Sequence, residues 1–168
     1  SVEGGEASLD DEEYCALVAA LAPHVGGVDV EIRRDGSSAL IEDAHAAGAL
    51  VIGSFHDFEG TPSDDQLAEV LADMNYAGAD VLKFACMAHS ATDAARVLGA
   101  QAWAREAYDR PVIGIAMGPN GAPTRLVGSA LGSAATFATL PGAEGSAPGQ
   151  FTIEQTRAVL DIVEGSEA

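Results

Sequence analysis

One lysine stands in the whole chain, and it lies inside an apolar run, DVLKFACM (80–87). Lysine usually occupies exposed faces. Within a strand it is either snorkelling at an edge or a desolvated amine. Burial disfavours the ammonium form, and a neutral amine can attack a ketone to form a Schiff base. The acidic field of the chain opposes this, so local burial or a nearby cation such as Arg125 has to outweigh it. His56 follows the apolar run ALVIGS (49–54), at a strand-to-loop transition where a proton carrier would be placed. Arg125 follows GPNGAPT at the start of a short helix, and its planar fork suits a carboxylate. Each of these three has a plain structural alternative: an edge lysine, a packing histidine, a surface arginine.

The other candidates are weaker. His24 and His45, at a helix end and on a helix, read as structural or solvated. His89 follows a strand closely enough to line a pocket, or to pack in a loop. His56, Asp57 and His89 show no recognised ligand spacing, so no metal site is expected. The glycines of MGPNG (117–121) do not match a phosphate loop. Cys15 and Cys86 sit in apolar surroundings and read as small core residues.

These groups need elements to hold them. Apolar periodicity predicts helices over 9–22, 38–47, 63–77, 90–108, 123–131 and 151–163. Serines open the helices at 63 and 90. Strands are expected at 27–32, 49–54, 80–85, 111–117 and 133–138, alternating with the helices. This βα alternation argues an α/β fold with a parallel sheet. Five such units fit either a small doubly wound sheet or five eighths of a (β/α)₈ barrel, and composition does not separate the two. In both, functional groups gather at the C-terminal ends of strands. The Pro/Gly/Ser-rich stretch LPGAEGSAPGQ (140–150) fits a connector or a lid.

Composition narrows the partners. The 168 residues carry 26 Asp+Glu against 8 Lys+Arg, a formal charge of −18, so nucleic acid and anionic membrane surfaces are repelled. A hydrophobic fraction of 48% disfavours disorder, and such an acidic excess over it suggests a surface adapted to high salt. No apolar run approaches a membrane span, and no basic-started leader is seen, so the expected location is the cytoplasm. Length gives a single domain over 1–168.

Six stretches stand in order: VEGGE (2–6), VDVEI (28–32), GSFHDFEGTP (53–62), GADVLKFACMA (78–88), MGPNGAPTRLVGSALGSAATF (117–137) and GSAPGQ (145–150). Together they resemble the type I 3-dehydroquinate dehydratase family. SxHDFxxTP followed by GADxxKxAxMA and SAPGQ is specific as a set, though each alone is weak.

The resemblance implies a (β/α)₈ TIM barrel and dehydration of 3-dehydroquinate to 3-dehydroshikimate in the shikimate pathway of aromatic biosynthesis. It implies no metal and no dissociable cofactor. Lys83 corresponds to the Schiff-base lysine and His56 to the general acid and base. Glu3 corresponds to the glutamate orienting that histidine, and Arg125 to the arginine holding the substrate carboxylate. Ser146 and Gln150 correspond to lid residues. A homodimer is carried over as an expectation. The family has three βα units before the VEGGE match, so the 168 residues are expected to hold the C-terminal five units of a longer barrel. The alternatives are another class I Schiff-base aldolase or lyase, an inactive barrel fragment, and a non-catalytic five-stranded binding domain.

Overall fold

Helix starts in this chain are set by short polar side chains. Asp10, Ser63, Ser90 and Thr152 each accept the backbone N–H three residues on, and the residue there reaches back to the cap. Each such box satisfies two amide donors that a helix start leaves open. The computed structural model describes residues 8–165 apart from 144, 146 and 148. Its helices are α1 (Asp11–Leu21), α2 (Ser37–Ala46), α3 (Asp64–Tyr76), α4 (Ala91–Ala107), α5 (Thr124–Val127) and α6 (Ile153–Val163). Single turns of 3₁₀ helix follow α1 and α5.

Between them run β1 (Gly27–Glu31), β2 (Leu50–Asp57), β3 (Val81–Met87) and β4 (Val112–Met117), all parallel, in the spatial order β1-β2-β3-β4. Sequential order separates the two architectures that composition left open. A doubly wound sheet reverses strand order and covers both faces with helices. Here the order never reverses, and α2, α3 and α4 pack on one face. That face carries Val28, Val30, Val51, Leu82, Phe84, Cys86 and Val112, fused with the helices into one core. The opposite face holds a separate, smaller apolar cluster built on Ala85, Ile113, Ile115 and Met117. A sequential, one-sided parallel sheet is the geometry of a (β/α) barrel wall.

The expected strand at 133–138 is not formed. Ser133 makes a single parallel bridge to Val112, and the Ala134 N–H reaches the Val112 carbonyl at 2.8 Å. Beyond that the chain leaves the sheet: the Thr136 hydroxyl donates to the Arg125 carbonyl at 2.9 Å, and Thr139 bridges to Thr152. Four strands are therefore described rather than five. The small residues of SAATFA offer little side-chain area to hold a ladder, and local bonds compete for the backbone. Two strands also run further than expected. β2 reaches Asp57, so His56 belongs to the strand itself, and β3 reaches Met87.

Cys86 is buried, and burial pushes its thiol up to about 12, with the Asp57 charge adding to the shift. It is therefore an inert core residue, as its surroundings suggested. No helix among the described residues is long and apolar enough to cross a membrane.

At the N-terminal end of β3, Asp80 ties three elements together. Its carboxylate accepts the Val51 N–H at 2.8 Å and the His45 Nε2 at 2.9 Å, and Arg110 lies 3.6 Å away. Desolvation works to raise its pKa, but the Val51 N–H, His45 and the Arg110 charge outweigh it, and the pKa is lowered. A lowered folded-state value means that this contribution to stability is present above the unfolded pKa, about 3.9. It is lost as pH falls through the folded value. Asp80→Asn should therefore lower the denaturation midpoint at neutral pH and flatten the acid limb of the stability curve. Urea melts between neutral pH and about pH 3 check this; parallel curves for the two proteins would contradict it.

Candidate active site

Residues two apart on a strand share a face, and adjacent parallel strands place such faces side by side. On the face turned away from the helices, β1 contributes Asp29 and Glu31, and β2 contributes Ser54 and His56. In register, Glu31 pairs with Ser54, Ser54 with Lys83, and His56 with Ala85. Two acids, a hydroxyl, a histidine and the lysine thus meet on one patch, and the alternation of VDVEI accounts for both acids facing it.

The contacts form a continuous chain. Lys83 Nζ donates to Asp29 Oδ2 at 2.8 Å. The Ser54 hydroxyl makes a short contact with Asp29 Oδ1 and lies 2.9 Å from Glu31 Oε1. Glu31 Oε1 is 2.7 Å from His56 Nδ1. A carboxylate only accepts, so Nδ1 carries a proton, and in the neutral ring Nε2 carries the lone pair. The ring stacks on Phe58, centroids 6.0 Å apart and planes 9° from parallel. The lysine and histidine side chains are only 12% and 13% exposed, and Glu31 only 8%. Buried charges persist only when paired, and here each has a partner of opposite sign or a hydrogen bond.

Backbone bonds hold β1 from outside. The Tyr14 hydroxyl of α1 donates to the Asp29 carbonyl at 3.1 Å and accepts the Glu31 N–H at 3.0 Å. Desolvation raises the Tyr14 pKa, which keeps the hydroxyl a donor.

A cavity of about 190 Å³ opens beside this patch, lined by His56, Lys83, Arg125, Phe137, Gln150 and neighbouring apolar side chains. Ala85, beside His56 and two residues on from Lys83, leaves room between them. Lys83 Nζ also stands 5.6 Å from the centroid of Phe137, within cation–π range. Arg125 is 4% exposed, and burial lowers its pKa; arginine remains a cation nonetheless. Its segment is fixed by Thr124, whose hydroxyl donates to the Gly121 carbonyl and accepts the Ala116 N–H at the end of β4. Loop 140–150 comes close at Gly149: φ is +81°, and an added Cβ would stand 2.7 Å from the Gly118 carbonyl oxygen. Only glycine fits that approach, and it sets Gln150 at the cavity.

Lys83, His56, Arg125 and Gln150 are thus brought together as expected from the sequence. Glu3 and Ser146 lie outside the described residues. The partner seen on the histidine Nδ1 is Glu31. His89 does not line the cavity; its Nε2 bonds the Glu59 carbonyl at 2.8 Å. Among the described residues no cluster of three His, Cys, Asp or Glu side chains is arranged to hold a metal.

The family model for type I 3-dehydroquinase matches residues 1–167. The chain belongs to the type I 3-dehydroquinase family. A 3-dehydroquinate dehydratase of Klebsiella pneumoniae is 42% identical over 166 residues, covering 96% of this chain and 65% of the relative. A crystal structure of the Geobacillus kaustophilus 3-dehydroquinate dehydratase superposes with a TM-score of 0.90 at 33% identity, over 99% of this chain and 66% of that one. A type I enzyme from Clostridium difficile, solved with covalent modified comenic acid, gives 0.88 at 33%, over 99% of this chain and 66% of that one. The chain therefore spans about 65% of the length of the curated relatives it matches. Its four parallel strands are part of the TIM-barrel fold of these type I neighbours.

Sequence reasoning missed Asp29, Glu31, Ser54 and Gln101. The first two were legible as acids two apart in a strand, and Ser54 as the residue two before His56. Gln101 left no signal, being one polar residue in an alanine-rich helix. It is fully buried, and its Oε1 accepts the Gly114 N–H at 3.0 Å while Nε2 reaches the Gly128 carbonyl at 2.9 Å. This joins β4 to the turn after α5 that carries Arg125. Gln101→Leu should orphan the Gly114 N–H and cost about 1–3 kcal/mol. Urea denaturation measures it; an unchanged midpoint would show that the bond holds nothing.

Proposed function

We propose that this family member removes water from 3-dehydroquinate to give 3-dehydroshikimate through a Schiff base on Lys83. The observation carrying the proposal is the pairing in one cavity of the sole lysine with a histidine whose Nδ1 is fixed by a carboxylate, facing a buried arginine. That pairing supplies both a nucleophile and a proton carrier. The covalent ligand of the Clostridium difficile relative is consistent with such chemistry.

The steps balance as follows. The Lys83 ammonium and the substrate ketone condense to an iminium and one water, and the positive charge is conserved. The iminium withdraws electrons from the adjacent carbon, and His56 Nε2 takes the proton there. The C–H pair forms a C=C bond to the former carbonyl carbon while the C=N π pair moves onto nitrogen, giving a neutral enamine. The enamine then expels the β-hydroxyl, which leaves as water with the proton held by His56. Hydrolysis of the remaining iminium returns Lys83 and frees the product. Arg125 holds the substrate carboxylate, which fixes the ring relative to both groups. Gln150 borders the same space, and Ser146 joins it in this reading as a second loop contact. Glu3 serves as a further carboxylate toward His56.

No metal or dissociable cofactor takes part in this scheme. The same reading makes the protein a cytoplasmic lyase of aromatic biosynthesis and a homodimer, its acidic surface suited to high salt. Its charge of −18 repels nucleic acid and anionic membranes, while the cations Lys83 and Arg125 draw an anionic substrate inward.

Incubation with 3-dehydroquinate and borohydride should leave a reduced adduct on the peptide containing Lys83. Lys83→Ala and Lys83→Arg should each abolish adduct and turnover, since arginine stays protonated. An adduct-free Lys83 in protein that turns the substrate over would overturn the proposal.

A further inference from the structure

The mechanism above uses Lys83 and His56 but leaves Asp29 and Ser54 without a role, although both stand in the same contact chain. We propose that Asp29 is the counter-ion of Lys83 in its ammonium and its iminium forms, and that Ser54 is the positioning residue that holds Asp29 there and ties it to the Glu31–His56 pair. This inference rests on the Schiff-base reading and deepens it.

Charge bookkeeping favours it. Condensation replaces one cation on Nζ with another on the same atom, so an anion 2.8 Å away serves both without moving. Asp29 is well placed to stay put. Its Oδ2 faces Lys83, its Oδ1 faces Ser54, and its carbonyl is held by Tyr14. Ser54 is fully buried, and its single hydroxyl proton lies between two carboxylates. Sharing that proton softens the repulsion of two acids on one strand face. Among the described residues, the charged groups about Lys83 are Asp29 and Glu31 from β1, His56 from β2 and Arg125 from α5. Among the described residues two anions therefore face two fixed cations, and the histidine adds or removes a charge as it carries its proton. An anion fixed beside the nitrogen lets an iminium form with little rearrangement of surrounding dipoles.

The test uses the full chain and two readouts. Lys83 is the only lysine, so acetylation by acetic anhydride without substrate, mapped by peptide mass, follows the availability of its lone pair across pH. Asp29→Asn should move this labelling profile to lower pH, because the anion that favours the ammonium is gone. It should also lower kcat on the order of 100-fold while KM changes only a few-fold, since the lost interaction stabilises the iminium more than bound substrate. Ser54→Ala, which keeps both carboxylates, should move labelling the same way by less and lower kcat about tenfold. If Asp29→Asn does not fold, Ser54→Ala carries both readouts. A variant that loses activity with an unmoved labelling profile would overturn the counter-ion role, and so would wild-type kcat in either variant. Borohydride trapping on the wild-type chain is run alongside. Its failure would sink the Schiff-base reading, while the labelling, which needs no substrate, still judges the Asp29–Lys83 pair.

Discussion

Two carboxylates on the inner face of one strand set the terms for the rest of this site. Asp29 and Glu31 lie two residues apart on β1 and therefore point the same way. Side by side they would repel, and Glu31, which is buried while Asp29 is exposed, would be costly to keep charged alone. The neighbouring strands supply what stabilises them: a lysine for one, a histidine for the other, and a hydroxyl shared by both. Removing Asp29 leaves the largely buried Lys83 without its ion pair, and removing Glu31 takes the carboxylate from His56 Nδ1.

Register is what brings these groups together. Lys83 faces the cavity only because β3 pairs with β2 through Ser54↔Lys83; a slip of one residue would send it into the helix-covered core among Leu82 and Phe84. Register is in turn fixed by that core, whose apolar residues occupy the alternate positions. The apolar face against the helices thus determines the polar face at the cavity. Most acids of the chain have no part in this. Asp11, Glu12 and Glu13, and Asp64 and Asp65, sit in first helical turns, where the macrodipole favours negative charge.

Much of this was legible beforehand, for identifiable reasons. Lys83 stood out because a lysine contradicts its apolar surroundings, and His56 because polar chemistry collects toward strand ends. The serine-capped helix starts at 63 and 90 are local, and local signals survive in one dimension. The strand expected at 133–138 failed because SAATFA lacks the side-chain bulk to hold one, so a single bridge at Ser133 and a bond from Thr136 to the Arg125 carbonyl prevail. Glu31 went unread as the partner of His56 because the two are 25 residues apart and only strand pairing brings them together. Gln101 was silent because its importance lies wholly in which helix face is buried.

The central claim is that Lys83, with Asp29 beside it and His56 within the same cavity, is where the substrate becomes covalently attached. A crystal structure of the protein reduced in the presence of 3-dehydroquinate tests it most directly. The account predicts continuous density from Lys83 Nζ into the ligand ring, the Asp29 carboxylate still hydrogen-bonded to that nitrogen, and the ligand carboxylate on Arg125. An unmodified Lys83 beside a bound ligand, or an adduct whose nitrogen has left Asp29, would contradict it.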